Sequence, residues 1–408
     1  LKLTLLFLLI VSYLLENWLE WLNARNWKVQ VPAELSDIYD QEAYGKAQRY
    51  ERAKRRLSRF TALFSTLLVL FMVATGSFAL LERWTHTVSN DLVVQTLVFF
   101  GVLALLADIL SMPVSLYRNF VIEENFGFNR LTTRTWVMDK FRGYLLGALL
   151  GGSLLAMFVL FYQIAGENFW WITWMVMTVV SLFFAMFYTS WILPIYNNLT
   201  ALPEGDLRSR LLEYCRKVDF PVKDIFVMDG SKRSAKANAF FSGFGPSRKI
   251  VLFDTLIEKH SADELVAVVA HEVGHYKKKH VGTTILLSTL QTGFMLFLLS
   301  RFIESPELSA ALGASTPSFA LGLMAFGMFY SPVSMLMGLL LNAFSRKHEF
   351  EADAFAATTF AGVSLGNALK KLSRDQLSNL HPHPFYVAVY YSHPTLLQRL
   401  NALRRVNS

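Results

Sequence analysis

Long apolar runs alternate along this chain with shorter polar segments rich in Lys and Arg. A helix needs about 20 mostly apolar residues to cross roughly 30 Å of hydrocarbon. Seven stretches meet that length, at about 1–22, 59–81, 92–117, 141–165, 168–195, 281–303 and 317–344. The third contains Asp108 and the last contains Asn342. A polar side chain at such depth requires a partner inside the bundle. Packing against a neighbouring helix accounts for Asp108, which is left out of the site. The first run passes into a Trp-rich segment with no small-residue cleavage site and is read as a retained span, although the chain begins at Leu1 rather than Met.

The segments between the runs set an orientation. Lys and Arg crowd the stretch from Arg25 to Arg59, recur between Arg118 and Arg142, fill 196–280 and return after 345. The intervening connections hold only Arg83, then no basic residue around Gly166 and Glu167, then Glu304 and Glu307 beyond Arg301. By the positive-inside rule this alternation places the amino terminus outside and the segments 23–58, 118–140, 196–280 and 345–408 in the cytoplasm. The chain then divides into spans one to five (1–195), a cytoplasmic segment (196–280), spans six and seven (281–344) and a cytoplasmic tail (345–408).

Segment 196–280 reads as a folded insert. Leu207 to Val218 is patterned as a short amphipathic helix, and 224–228, 238–241 and 249–253 as strands separated by Gly, Ser and Pro. Ser261-Ala-Asp-Glu264 forms a capping box opening a helix that runs to about His280 and on into the sixth span. Of the 408 residues, 53% are hydrophobic and 17% charged, below the quarter usual in soluble domains, so composition and pattern agree. The net charge of +8 is accounted for by the basic loops beside a membrane, and no nucleic-acid module is present. Cys215, the single cysteine, cannot form an internal disulfide and is read as structural.

The run His271-Glu272-Val273-Gly274-His275 carries the chemistry. On a helix, histidines four apart share a face and can hold one zinc ion. Glu272 lies on the adjoining strip, placed to take a proton from a water activated at the metal and deliver it to a leaving amine. Gly274 keeps the helix surface low beside the metal. Two surface histidines on a membrane-edge helix would make the same pattern, so a third ligand decides. Ser345-Arg-Lys-His-Glu349-Phe-Glu351-Ala-Asp353 follows the seventh span. Glu349 and Asp353 share a helical face, so Glu349 can bind the metal while Asp353 holds a ligand histidine's other nitrogen. Glu351 is on the opposite side and is the poorer choice. Alone, such an acidic cluster is usually a solvated face. His381-Pro382-His383 is awkward for a chelate and is read as loop.

These residues resemble those of the CAAX prenyl endopeptidase family, type I integral-membrane zinc metalloproteases. The likeness extends over nearly the whole chain, through 122–130, 193–197, 234–241, the motif itself, 345–353 and 391–395. The resemblance implies zinc held by His271, His275 and Glu349, with Glu272 as general base and Asp353 behind a ligand. It implies further that Asn238 lies on an edge strand that pairs with the substrate backbone. His393 is implied to point into the site and steady the oxyanion, and Arg399 to brace it. The family architecture is a seven-helix bundle around a water-filled chamber, with the zinc site at its cytoplasmic end.

The fold expected is therefore an all-α multi-pass membrane bundle of seven helices with a cytoplasmic zincin-like domain containing a small β element. The activity expected is zinc-dependent cleavage near the carboxyl terminus of prenylated CAAX-type or other hydrophobic peptides, with lipid as the surroundings. Close-cut loops and the lack of a carboxyl-terminal retrieval signal point to a bacterial inner membrane, where quality control without a prenyl requirement is the alternative work. A non-enzymatic zinc-binding membrane protein would not need Glu272. An intramembrane-cleaving protease would bury the motif in an apolar helix, whereas this helix is polar until Val281.

Overall fold

The computed structural model describes residues 1–28, 30–222, 224–242 and 249–407. Six continuous helical runs in it are long and apolar enough to cross a membrane: Lys2–Arg25, Gln41–Thr75, Leu92–Glu123, Thr133–Tyr196, His280–Phe302 and Phe319–Asp375. The fourth has 64 residues. As a straight helix it would be about 96 Å long, some three times the hydrocarbon thickness. It folds back instead. Gly166, at φ 53° and ψ −130°, ends the helix Ser153–Ala165, and Phe169–Trp191 departs after a single turn. Phe158 and Tyr162 on one limb each meet Phe169 on the other with ring centroids 5.6 Å apart. Two apolar stretches read from the sequence thus lie in one of the six runs, joined at a glycine turn.

Three boundaries differ from the sequence reading. Half of the expected loop 23–58 is helix, because Asp40 caps Gln41–Thr75 by accepting a hydrogen bond from the Ala43 N–H at 2.6 Å. That helix stops before Gly76, and Ser77–Val88 is a separate helix rather than the end of a span. The helix bearing the histidines, Ala262–Lys277, does not run on into the next span. Lys279 adopts φ 59°, a left-handed conformation costly for a side chain with a Cβ, and a new helix begins at His280.

Most of the surface of each spanning helix faces lipid or the space between the spans. Only 6–17% of each apolar window is buried within the protein. One apolar core gathers Leu5, Val73, Phe99, Phe158, Leu299 and Phe319. It lies at one end of the bundle, since Phe319 and Glu349 are about 45 Å apart along their common helix at 1.5 Å per residue. A second core sits at the other end, where Leu211, Ile225, Leu252, Val269 and Leu365 close the sheet domain over the histidine helix. Asp108 finds partners in Lys140 and Tyr144, and the Asn342 amide donates to the Val389 carbonyl at 2.7 Å, as polar groups in spans require.

The β element is a four-stranded sheet. β1 (Leu199–Ala201) runs antiparallel to β2 (Asp224–Met228). β3 (Ala239–Ser242) runs antiparallel to β4 (Lys249–Phe253), and β2 and β4 are parallel at the centre. The order β1-β2-β4-β3 makes β3 an edge strand. Asn238 stands immediately before it, and its carbonyl accepts a hydrogen bond from the Phe253 N–H at 3.0 Å.

The histidine helix packs on the long helix Phe319–Ala356 at Gly274. A Cβ there would lie 3.0 Å from the Ala352 Cα, 3.1 Å from the Ala352 carbonyl oxygen and 3.2 Å from the Phe355 Cβ. Gly274 therefore serves the approach of two backbones rather than a low surface beside the metal. Overpacking of this kind costs about 1–3 kcal/mol. Gly274→Ala is expected to lower the thermal unfolding temperature in detergent and the bound metal content together. If both stay at wild-type values, the two helices can separate without cost and the packing assignment fails.

Candidate functional site

The histidine helix starts where the capping box fixes it. The Ser261 hydroxyl accepts from the Glu264 N–H at 3.3 Å and the Glu264 carboxylate accepts from the Ser261 N–H at 3.0 Å, while Lys371 pairs with the same carboxylate. Leu265, Val266, Val269, Ala270 and Val273 face the core. With that face committed, the helical repeat turns His271 and His275 towards the long helix and Glu349.

The three side chains converge. His271 Nε2 and His275 Nε2 are 3.1 Å apart, His271 Nε2 and Glu349 Oε2 are 3.5 Å apart, and His275 Nε2 and Glu349 Oε1 are 3.3 Å apart. Ligands at 2.0–2.1 Å from a tetrahedral centre stand about 3.3 Å from one another. The Glu349 Oε2 atom is buried and makes no close hydrogen bond, its nearest nitrogens being those of Arg399 at 3.4 Å and His271 Nε2 at 3.5 Å. A buried carboxylate oxygen held only at that range leaves room for a closer cation between it and the two imidazoles. The donor set therefore fits a divalent metal ion held by His271, His275 and Glu349.

The surroundings favour positive charge at this point. His271 Nδ1 lies 2.9 Å from Asp353 Oδ1. Burial opposes protonation of His271, but hydrogen bonding to Asp353 and Glu349 outweighs it and pushes the imidazole up to about 9 in the absence of a metal. Asp353 is held by Arg399, whose Nε and a terminal nitrogen donate to its two oxygens at 2.8 and 2.6 Å. This two-point pairing fixes the carboxylate plane. Arg399 is itself buried and also stands 3.4 Å from Glu349 Oε2.

Glu272 is only partly exposed, beside the pair of histidines. Desolvation raises its pKa, with the charges of His271 and His275 pulling the other way. His393 joins the group, its Nε2 being 3.3 Å from Glu349 Oε1 while Nδ1 meets the Ser392 hydroxyl at 2.9 Å. A cleft of about 650 Å³ leads from His393 and Arg399 towards Tyr50, Lys54 and Lys236. Asn238 is exposed at the head of β3, and its side-chain oxygen accepts from the Ala239 N–H at 2.9 Å. Among the described residues no hydrogen bond or ion pair joins its side chain to His271, His275 or Glu349, although β3 packs beside the histidine helix. His381 to His383 form a loop in which His383 caps the helix Pro384–Tyr390.

Sequence reasoning missed one partner. Glu351, set aside as facing away from Glu349, meets His280 at 2.9 Å. Helical spacing gave no signal for this, because the break at Lys278 and Lys279 removes His280 from the register of His271 and His275.

Comparison with known proteins extends the likeness across both halves. The family model for the CAAX prenyl protease N-terminal region, with five membrane helices, matches residues 20–198, and that for peptidase family M48 matches residues 201–407. CAAX prenyl protease 1 of Saccharomyces cerevisiae is 33% identical over 93% of this chain and 90% of its own length. The CAAX prenyl protease 1 homolog of Arabidopsis thaliana is 34% identical over 97% of this chain and 95% of its own. The crystal structure of S. mikatae Ste24p matches with a TM-score of 0.93 at 31% identity, covering 98% of each chain. The chain belongs to peptidase family M48 and is a multi-pass membrane metalloprotease.

Proposed function

We propose that this protein is a zinc endopeptidase that cleaves peptide bonds near the carboxyl terminus of prenylated CAAX-type substrates at the cytoplasmic face of its membrane. The observation that carries the reading is the spacing of the His271, His275 and Glu349 donor atoms, with Glu272 beside them. The substrate class is drawn from relatives named as CAAX prenyl proteases that match nearly end to end. The motif lies outside the apolar run His280–Phe302, which supports cleavage beside the membrane rather than within it.

When bound, zinc supplies a Lewis acid that polarises the scissile carbonyl and makes a water acidic near neutral pH. Glu272 accepts the water proton and passes it to the departing amine. Desolvation suits it to that task by making its carboxylate a better proton acceptor than in bulk water. His393 offers an imidazole N–H to the carbonyl oxygen as negative charge gathers there. An extended peptide lies along the edge at β3 with Asn238 at its head, adding a strand to the sheet. Arg399 holds Asp353, which holds His271 and fixes the tautomer that leaves Nε2 free for the metal. The basic segments on the side of the motif support a cytoplasmic site, and Lys277 to Lys279 suit a helix entering the headgroup layer.

Purified protein in detergent is expected to release the residues after the prenylcysteine of a farnesylated CAAX peptide, as read by mass spectrometry. Glu272→Gln is expected to retain zinc and lose roughly 10²–10⁴-fold in rate. Chelation should abolish wild-type cleavage and added zinc restore it. Equal cleavage of the unprenylated peptide would transfer the reading to quality control of membrane proteins. No cleavage of either peptide, or of unfolded membrane proteins, by zinc-loaded wild type would end the enzymatic reading.

His393→Ala is expected to lower kcat by about 10²–10³-fold with little change in KM. A raised KM at unchanged kcat would assign His393 to substrate binding instead.

Orientation is testable with cysteines, because Cys215 is buried. In sealed cells an impermeant maleimide is expected to label Glu167→Cys and to reach Glu213→Cys only after lysis. The reverse pattern would invert the topology.

A further inference from the structure

The two ligand histidines have different outer partners, and only Asp353, the partner of His271, follows from the helical spacing read in the sequence. His275 Nδ1 lies 3.1 Å from His280 Nδ1, and His280 Nε2 lies 2.9 Å from Glu351 Oε2. His280 is buried, and one face of its ring is covered by His348, stacked at 4.0 Å between centroids and 9° between planes. The left-handed Lys279 breaks the helix and brings His280 back beside His275, which a continuous helix would not do for residues five apart.

Resting on the metal site proposed above, we propose that His280 and Glu351 are positioning residues for His275, forming a linear carboxylate–imidazole–imidazole chain that sets its tautomer and strengthens its hold on the metal. The proton assignment closes in one way. His275 Nε2 faces Glu349 and His271, so its proton sits on Nδ1 and is donated to His280 Nδ1. His280 then carries its own proton on Nε2 and donates it to the Glu351 carboxylate. Each donor has one acceptor, and the ionised carboxylate at the far end makes both imidazoles better electron donors. His348 fixes the plane of the middle ring. The sequence position of Glu351 between Glu349 and Asp353 thus has a use: one helix supplies a ligand and the anchors for both histidines.

The test is the zinc dissociation constant of the full-length protein in detergent, measured by competition with a chromophoric chelator, together with the melting temperature of the metal-free form. His280→Ala is expected to weaken zinc binding by roughly 10- to 100-fold. His280→Asn keeps an acceptor where Nδ1 stands and should recover most of that loss. Glu351→Ala should weaken binding in the wild-type background and add nothing to His280→Ala, since links in one chain are not additive. Glu351 lies on an accessible face of its helix, so that variant decides the matter if His280→Ala fails to accumulate. Affinities within twofold of wild type for both alanine variants would overturn the chain. So would a His280→Asn protein as weak as His280→Ala, or a loss matched by an equal destabilisation of the metal-free protein. Wild-type protein that binds no zinc would overturn the metal site itself, and this inference with it.

Discussion

The site depends on how closely the histidine helix approaches the long helix that carries Glu349. Gly274 lets the backbones meet at Ala352, where a Cβ would stand 3.0 Å from a Cα. Ala352 lies between Glu351 and Asp353 in sequence, so the contact point is also the place where acids of the long helix come within reach of the histidines. A separation greater by the depth of one methyl group would open the 2.9 Å contact of Asp353 with His271 and the donor spacings around Glu349. Close packing of the two helices thus sets the spacing of the donor atoms in the candidate metal site.

That approach is supported from outside. Arg399 reaches in from the carboxyl-terminal helix Leu396–Asn407 to pair with Asp353 at two points. A buried ion pair gains little as a source of stability, because desolvation offsets the Coulomb attraction. Its value here is geometric. The planar fork sets the orientation of a carboxylate that in turn sets an imidazole, so the tail of the chain is tied to the metal cage through two well-defined contacts. The membrane bundle does the complementary task. Its apolar core lies at the end remote from the site, and the spans between are largely unburied within the protein. The match to Ste24p makes this a chambered bundle, whose helices hold the sheet domain over an interior instead of filling it.

Much of this was legible in the sequence because it is local. The capping box from Ser261 to Glu264 and the i,i+4 pairs His271–His275 and Glu349–Asp353 each need only one helix to be read. Whole-helix hydropathy located the spans for the same reason. What could not be read depends on breaks and on tertiary approach. Gly166 turns one apolar run back on itself, and Asp40 starts a helix well before its apolar part. β1 is three residues long and exists only because β2 offers it an edge. The close approach at Gly274 cannot be seen without its partner helix.

Glu351 shows why a helical wheel misleads at such a place. On the wheel it points away from Glu349 and Asp353, and a site built from one face would leave it in water. A metal cage between two helices is not one-sided, however. The histidine helix ends at Lys277, and the chain re-enters at His280 from a different direction, so the long helix has a neighbour on a second side. Glu349 faces the histidines directly, Asp353 meets the buried ring one turn further on, and Glu351 meets the ring supplied by the re-entrant segment. The two anchors also differ in solvent access: the Asp353 side chain is 1% exposed and the Glu351 side chain 38%. A hydrogen bond shielded from water holds its partner more firmly than one that water can replace. The His271 side of the cage is thus the rigid one, and the His275 side, beside the helix break and nearer solvent, is where the geometry of the site can give.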